Sequence, residues 1–362
     1  MKKNVIFYTL SIIVLLLCIG ASYSANSQNN QLSHSGGVTS FTLSEPITIM
    51  TASSDTKGAG YDNRYLGYFT IVQLKPDLYY MYYECSGTNH YVFNHIAFAY
   101  STDGMNWIKS YPDGVSYEVY DENNHIIKNS NLISYKDIRE FDVVKVQDPV
   151  YPFRMIANEW INQDKYRNDT QLCMWKSKDG VNFEDKVVLL PSKHDTQPSV
   201  IVRGNILKIY LRLRGQEDLR KRHIGYMYVD VDGVMITPPT LLSEDLYYTS
   251  GASILDDNRD ILFPTYFDQK HPEKNHYEAC IVENNILYKL AVDMSVLNKE
   301  GDKWGMICPH IITINHAQYI TYHQANFDHS GNTDESVKRT EFRLSKITFN
   351  TEGLPCTADP RK

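Results

Sequence analysis

The sequence predicts an all-β fold and, more specifically, a five-bladed β-propeller, within a range of four to six blades. Three observations support this: short β-rich runs alternate with turn clusters, helical periodicity is scarce, and one turn motif is repeated. Runs such as Leu78–Glu84 and Ile206–Arg212 carry the β-branched and aromatic residues that favour strands. Strands separated by turns at this regular spacing are typical of a sandwich, a barrel or a propeller.

The internal repeat favours the propeller over the other two architectures. The segment Ser101–Trp107 (STDGMNW) recurs as Ser177–Phe183 (SKDGVNF), and a weaker copy lies at Asp232-Gly233. In each copy the Asp-Gly pair predicts a hairpin turn that needs a positive φ, and the final aromatic residue is expected to pack back on the blade. Two unrelated hairpins are the alternative, but the two segments share Ser, Asp, Gly, Asn and a final aromatic residue. Repetition at this period is typical of a propeller.

The strand runs group into five units in chain order. They are Phe41–Met50, Leu66–Val72, Leu78–Glu84 and His95–Ser101 (blade one); Asp142–Val146, Phe153–Glu159, Gln171–Ser177 and Lys186–Leu190 (blade two); Pro198–Val202, Ile206–Arg214, His223–Asp230 and a short strand near Leu241 (blade three); Gly251–Leu255, Asp260–Phe267, His276–Val282 and Leu287–Val292 (blade four); and Gly305–Ile314, Ala317–Gln324 and Val337–Phe349 (blade five). The N-terminal strand is expected to complete blade one and to remove an exposed sheet edge.

The N-terminus has the three-part pattern of an export signal. Lys2 and Lys3 precede an apolar run over Val5–Ile19, and small residues follow at Ser22 and Ser24. The run is short for a membrane span, so none is expected. The predicted organisation is a signal peptide at 1–24, a flexible linker at 25–40 and a single propeller domain at 41–362. The protein is therefore predicted to reach the periplasm or cell surface of a Gram-negative bacterium.

Composition excludes some partners and leaves the state of the cysteines open. The formal net charge is -7 and no long Lys/Arg run occurs, so we expect no nucleic-acid partner. The cysteines after the signal segment are widely spaced without a CxxC pair, and the histidines show no metal spacing, so neither a metal nor another cofactor is expected. Disulfides and buried thiols are both compatible with this spacing. The 27 tyrosines suit strands, and aromatic rings also pack on sugar faces.

Propeller geometry brings strand ends from several blades to one mouth, and polar residues recur at those positions. The candidates are Asp62, Asp142 and Asp195 at first-strand starts, Glu84, Glu159, Arg212 and Arg214 at second-strand ends, and His95, His223 and Glu278 at third-strand starts. Hydrolysis of a glycosidic bond needs two carboxyl groups, one to protonate the leaving oxygen and one to activate water or attack carbon. Turn caps are the alternative role for each aspartate. Arg212 and Arg214 share one strand face, which suits either a sugar carboxylate or sulfate, or ion bridges between blades.

Five segments carry a resemblance to a known group of enzymes. HIAFAYSTDGMNW, QDPVYPFRM, CMWKSKDGVNF and HDTQPSVIV with GNILKIYLRLRG make roughly residues 60 to 270 similar to exported Bacteroidetes proteins related to glycoside hydrolase families 32 and 43. The resemblance implies one acidic residue from each of the first three blades. Asp62 would be the base or nucleophile, Asp142 the pKa-tuning residue and Asp195 the third. The family usually has Glu as the third, which leaves Glu159 or Glu278 as competing acids, and Asp148 is an alternative to Asp142.

The sequence therefore predicts an exo-acting glycoside hydrolase that cleaves a plant or algal oligosaccharide, which could be acidic. Two alternatives remain open. One is a propeller that binds glycan without catalysis, and the other is a polysaccharide lyase that uses a Tyr or His base with Arg neutralising a uronate.

Overall fold

The structure is a computed structural model, and the residues that it describes are 38–51, 65–86, 95–109, 117–120, 126–130, 132–134, 138–161, 170–191, 197–214, 222–243, 247–266, 276–290, 292–294, 297, 307–327 and 337–351. Almost all of these residues lie in strands and the turns between them, which confirms the predicted all-β class. The described part of the chain contains no helix long and apolar enough to cross a membrane. The predicted signal peptide lies outside the described residues, and strand β1 begins within the segment predicted to be a linker.

The strands form antiparallel sheets that correspond to five blades. In chain order they are β1 (Val38–Leu43) and β2 (Ile47–Thr51); β3 (Tyr65–Lys75), β4 (Leu78–Ser86), β5 (His95–Ser101), β6 (Tyr117–Tyr120), β7 (Ile126–Ser130) and β8 (Leu132–Ser134) in blade one; β9 (Ile138–Lys145), β10 (Phe153–Trp160), β11 (Thr170–Ser177) and β12 (Phe183–Leu190) in blade two; β13 (Ser199–Arg203), β14 (Ile206–Arg214), β15 (Arg222–Asp230) and β16 (Met235–Leu241) in blade three; β17 (Tyr247–Ile254), β18 (Arg259–Tyr266), β19 (His276–Tyr277), β20 (Cys280–Glu283) and β21 (Ile286–Lys289) in blade four; and β22 (Ile307–Ile314), β23 (Ala317–Phe327) and β24 (Val337–Thr351) in blade five.

The innermost strands close a ring. Each of β3, β9, β13 and β17 contacts the next innermost strand, and β22 contacts both β17 and β3. A sheet at each of these five positions confirms the predicted five-bladed propeller.

The structure corrects the predicted place of the N-terminal strand. Both β1 and β2 pair antiparallel with β24, so the N-terminal chain completes blade five and not blade one. The outermost strand of blade one is β8, which pairs with β5 after the separate hairpin formed by β6 and β7. The N-terminal chain therefore joins the last blade to the first, because β3 is the next described strand after β2. This joint still covers a sheet edge, as the sequence led us to expect.

The hydrophobic core consists of layers between neighbouring blades. Alternate side chains of a strand point to opposite sheet faces, so Ala157 of β10 packs toward blade one while Ile156 packs toward blade three. Each blade thus contributes to two layers. The layer between blades four and five contains Phe41 of β1 packed against Phe263 and Phe349, with the Phe41 ring centroid 6.3 Å and 5.7 Å from theirs. The N-terminal strand therefore contributes a core residue as well as backbone pairing.

The repeated Asp-Gly motif forms the same hydrogen-bonded turn in both copies. Asp103 Oδ1 accepts hydrogen bonds from the backbone N–H groups of Met105 and Asn106, at 2.8 and 2.7 Å. The copy at Ser177–Phe183 repeats these bonds with Asp179, both at 2.8 Å. Burial alone would raise the pKa of Asp103, but the bonds from Asn106 and Met105 lower it to about 2. The carboxylate is therefore held ionised inside the turn.

The glycines of these turns lie against a neighbouring blade. Gly104 and Gly180 have φ of 74° and 77°, as the motif predicted. Tyr82 of blade one donates a hydrogen bond from its hydroxyl to the carbonyl oxygen of Gly180 at 2.8 Å. The Gly180 turn thus helps to hold blade two against blade one, and the Gly104 turn lies beside Ile314 of blade five.

Side-chain oxygens connect successive innermost strands around the axis. In three consecutive pairs, an oxygen on one strand accepts the backbone N–H of the next. The pairs are Asp142 with Val200 at 2.7 Å, Ser199 with Ala252 at 2.8 Å, and Ser253 with Ile311 at 2.7 Å. The first strands of neighbouring blades do not share a sheet, so these bonds satisfy backbone groups that would otherwise be buried without partners.

Candidate active site

Polar side chains from the first three blades meet at one end of the propeller. This end carries the start of each first strand and the end of each second strand, which the antiparallel pairing places side by side. Three consecutive blades each contribute two of the residues involved. They are Tyr68 and Glu84 from blade one, Glu140 and Asn158 from blade two, and Gln197 and Arg212 from blade three. We call these six residues the mouth cluster.

Arg212 and Glu140 form the centre of the mouth cluster. Arg212 Nη2 lies 3.2 Å from Glu140 Oε1 and 3.4 Å from Oε2, and Asn158 donates from Nδ2 to Glu140 Oε2 at 2.8 Å. The Arg212 side chain is 3% exposed and that of Glu140 is 17% exposed. The pair thus joins blade three to blade two, and the Glu140 side chain is more exposed to solvent than that of Arg212.

Gln197 extends this network to blade one. Arg212 donates from Nη1 to Gln197 Oε1 at 3.3 Å, and Gln197 Nε2 donates to the hydroxyl of Tyr68. The backbone N–H of Tyr68 in turn lies 3.3 Å from Glu84 Oε2, and Glu84 is buried. The hydrogen bonds therefore run continuously across three blades at the mouth.

Two residues of the mouth cluster have unusual backbone geometry. Glu140 has a φ of 47° and Gln197 a φ of 37°, both in the left-handed region that non-glycine residues seldom adopt. Glu140 coincides with a bulge, because β10 pairs through Ala157 with Phe141 and then through Asn158 with Arg139, which leaves Glu140 without an opposite residue. Such strain costs about 1–3 kcal/mol per residue and is concentrated at functional sites.

Asp142 lies deeper on the axis than the mouth cluster. It is buried, and its Oδ2 accepts the Val200 N–H described above. Burial raises the pKa of Asp142, while the charge of His310 and hydrogen bonds from Val200 and Thr70 oppose that rise. Its carboxyl group therefore accepts hydrogen bonds from the innermost strands of blades one and three, and its predicted tuning role stays a prediction.

The two competing acids are paired with lysines of their own blades. Glu159 Oε2 lies 2.8 Å from Lys186 Nζ and accepts a hydrogen bond from Gln171 at 2.6 Å. Glu278 Oε1 lies 3.1 Å from Lys289 Nζ. These partners lie on the third and fourth strands, in the outer part of each blade. Neither contact brings the two glutamates to the mouth cluster, and a catalytic role for them stays a prediction.

Asp148, the alternative to Asp142, lies at the other end of blade two. It belongs to the turn between β9 and β10, where its carboxylate accepts the backbone N–H of Tyr151 and pairs with the buried Arg154 at 2.8 Å. The Tyr151 bond and the Arg154 guanidinium lower the pKa of Asp148 to about 2. Asp148 thus stabilises a turn far from the mouth cluster.

The other predicted site residues are described only in part. Asp62 and Asp195 lie outside the described residues, on segments that connect directly to Tyr65 of β3 and to Gln197. Arg214 and His95 have described strand positions, but their side chains lie outside the described part. His223 is partly exposed, and its Nδ1 is buried without a hydrogen-bond partner among the described residues.

Sequence reasoning missed Glu140, Gln197, Tyr68 and Asn158. Glu140 precedes Asp142 by two residues in REFDVV, so the sequence allows either residue to be the carboxylate at the mouth. Strand periodicity cannot reveal the bulge that distinguishes them. Gln197 precedes a proline at the entrance of β13, and a polar residue at a first-strand start is the pattern that identified the other site candidates. Tyr68 and Asn158 had no distinguishing pattern, because a tyrosine or an asparagine in a strand is ordinary.

Three cysteines can be assigned among the described residues. Cys85, Cys173 and Cys280 are thiols buried in strands. Burial, with Glu159 nearby, raises the pKa of Cys173 to about 12. Such a thiol is unreactive, so Cys173 has a packing role.

Neither a protein-family model nor a curated protein sequence matches the chain. Solved structures do match its fold. An N-acetylgalactosamine deacetylase from F. plautii, in complex with blood group B trisaccharide, has a TM-score of 0.58 at 11% identity, over 85% of this chain and 95% of that one. A thermostable family-43 glycoside hydrolase has a TM-score of 0.54 at 10% identity, over 82% and 95%. An endo-arabinase from Bacteroides thetaiotaomicron has 0.52 at 15%, over 79% and 94%. At these identities the likeness concerns the fold, and it agrees with the predicted propeller.

Proposed function

We propose that the protein is a glycoside hydrolase that cleaves an oligosaccharide at the mouth cluster. The observation that carries this proposal is the Glu140–Arg212 pair, held at the mouth by hydrogen bonds from three blades. A carboxylate presented in this way is the group that glycosidic hydrolysis needs. The fold shared with a family-43 glycoside hydrolase and an endo-arabinase supports the same chemistry.

The proposed reaction divides the work between carboxyl groups. One carboxylic acid gives its proton to the glycosidic oxygen as the bond from that oxygen to the anomeric carbon breaks. Water, or first a carboxylate, forms the new bond to carbon, and the proton of the water passes to a carboxylate. We assign Glu140 as the blade-two carboxylate that faces the sugar, with Asp142 beneath it. Asp62 as base or nucleophile and Asp195 as acid follow from the family resemblance.

Exo action, a plant or algal substrate and export are further parts of the proposal. Export follows from the pattern that runs from Lys2 to Ser24. A substrate from plant or algal polysaccharide agrees with an endo-arabinase and an alpha-L-arabinofuranosidase from Podospora anserina among the structures of similar fold.

The function is tested by incubating the protein with a panel of xylo-, arabino- and gluco-oligosaccharides and analysing the released sugars by chromatography. We expect the wild type to cleave a member of the panel and Glu140→Gln to be about 100-fold or more slower, because the positively charged, oxocarbenium-like transition state loses a fixed carboxylate beside the sugar. Arg203→Lys is the control, since Arg203 pairs with Asp260 at the other end of blade three. Equal turnover by Glu140→Gln and wild type would show that Glu140 takes no part in the reaction. Binding without cleavage by the wild type would indicate the glycan-binding alternative.

A further inference from the structure

We propose that Arg212 is a positioning residue for Glu140 and does not bind an anionic group of the substrate, so the sugar bound beside this pair is uncharged. This proposal rests on the proposed function and specifies the substrate class at the same site. It also separates the two roles that Arg212 could have from its sequence position, an anion binder and a bridge between blades.

The contacts of Arg212 show how it can position Glu140. One terminal nitrogen contacts both carboxylate oxygens, at 3.2 and 3.4 Å, and the other contacts Gln197 at 3.3 Å. A guanidinium is planar and its donors have fixed directions, so fixing one edge against Gln197 also fixes the edge that faces the carboxylate. Asn158 holds Glu140 Oε2 from its own blade at 2.8 Å. The carboxylate is therefore oriented by blades two and three together.

The backbone of the same residues supports a positioning role. Glu140 and Gln197 both adopt left-handed φ angles, and Arg212 contacts the side chains of both. Two strained residues connected by one buried arginine indicate a geometry that the surrounding structure enforces. An arginine that served only as an anion binder would not need to contact either of them.

Charge argues against an anionic ligand at this point. The positive charge of Arg212 is already opposed by Glu140, and the side chain of Arg212 is 3% exposed. Glu84 within the cluster and Asp142 beneath it are two further acidic groups. A uronate or sulfate placed here would have to displace Glu140 from the guanidinium and would be repelled by it at low dielectric. An uncharged sugar can bind without displacing Glu140 and without being repelled by its carboxylate.

The test is a double-mutant cycle measured on a neutral oligosaccharide that the wild type cleaves. If Arg212 acts through Glu140, then Arg212→Met lowers kcat by about 10–100-fold and Glu140→Gln by about 100-fold or more, each with KM changed less than about 3-fold. Combining them then costs little beyond the larger single effect. Arg212→Lys should recover only part of the loss, because an ammonium cannot contact two side chains in the same fixed geometry. The double variant also guards against misfolding, since it leaves no unpaired buried charge.

Arg203→Met is the matched control, because it removes an arginine that pairs with Asp260 at 2.6 Å at the opposite end of the propeller. It should lower the melting temperature without changing kcat. Independent, multiplicative effects of Arg212→Met and Glu140→Gln would overturn the proposal. So would wild-type activity restricted to uronate- or sulfate-bearing oligosaccharides, with KM raised by Arg212→Met. In that second result the hydrolase function stands and only the role of Arg212 fails, whereas absence of cleavage of any oligosaccharide contradicts both.

Discussion

At the scale of single residues, the site depends on backbone detail that a strand pattern does not show. A period of two places Glu140 and Asp142 on the same sheet face, and by that pattern either could be the exposed carboxylate. The bulge opposite Ala157 and Asn158 turns Glu140 toward Arg212, while Asp142 stays buried on the axis. Burial of a side chain and the position of a bulge depend on neighbouring strands and blades. For this reason the sequence predicted the buried Asp142 and missed the more accessible Glu140.

The Asp-Gly turns allow a prediction for one residue. A Cβ on Gly180 would lie 2.7 Å from Tyr82 Oη and 3.1 Å from Phe153, whereas a Cβ on Gly204 would meet nothing within 4 Å, although both glycines have positive φ. Gly204→Ala should therefore cost about 1 kcal/mol of backbone strain, and Gly180→Ala about 1–3 kcal/mol more, because overpacking is added.

Urea unfolding of the two glycine variants measures this difference. An equal loss of stability for Gly180→Ala and Gly204→Ala would show that the turn is not packed against Tyr82. A larger loss for Gly180→Ala alone is the predicted result.

At the scale of elements, the strands of blades two to five were predictable because apolar periodicity and turn residues are local signals. The partner of a strand is not local. The N-terminal strand fits an outer edge equally well in blade one and blade five, and the structure pairs it with β24. The three-residue strand β8 is too short for periodicity to detect. Without β8, the sequence pattern shows only three strands for blade one, and this favours the N-terminal strand as the fourth.

The hydrogen bonds around the axis lead to a prediction for the innermost strands. Ser253→Ala removes the acceptor of the Ile311 N–H, which lies 2.7 Å from Ser253 Oγ between blades four and five. Leaving a buried donor without a partner costs about 1–3 kcal/mol. Thr240→Ala is the control, because its hydroxyl donates to Pro238 O at an exposed position, and such surface changes stay within about 0.5 kcal/mol.

Chemical denaturation of both hydroxyl variants provides the measurement. If Ser253→Ala unfolds at the same denaturant concentration as Thr240→Ala, the axial bonds contribute nothing to the joint between these blades.

At the scale of the whole molecule, ring closure depends on the N-terminal strand. Phe41 of β1 is 4% exposed and packs between blades four and five. Phe41→Ala should therefore cost about 3–5 kcal/mol, as for other buried aromatic residues. Ile47 of β2 is 47% exposed, so Ile47→Ala should change the free energy of unfolding by about 0.5 kcal/mol or less.

Thermal unfolding followed by circular dichroism compares these two variants. A similar melting temperature for Phe41→Ala and Ile47→Ala would contradict the closure of the ring through β1. A large decrease for Phe41→Ala alone is expected.

The five-bladed propeller architecture was predictable from sequence, but its chemistry is less so, because one fold supports several reactions. The structures of similar fold include glycosidases and a deacetylase, which hydrolyse different bonds of a sugar. The acidic residues at blade entrances supported hydrolysis at the level of sequence. The Glu140–Arg212 pair, formed by side chains 72 positions apart along the chain, could be found only in three dimensions.

Hydrolysis in ¹⁸O-labelled water is the most direct test of the proposed function, with the oligosaccharide panel extended by uronate-bearing and acetylated oligosaccharides and the products analysed by mass spectrometry. We predict ¹⁸O at the anomeric carbon of a newly released neutral sugar, and loss of that label with Glu140→Gln. A product with a new double bond and no label would show a lyase. Label in released acetate with an intact glycan chain would show a deacetylase, and either result would contradict the proposed function.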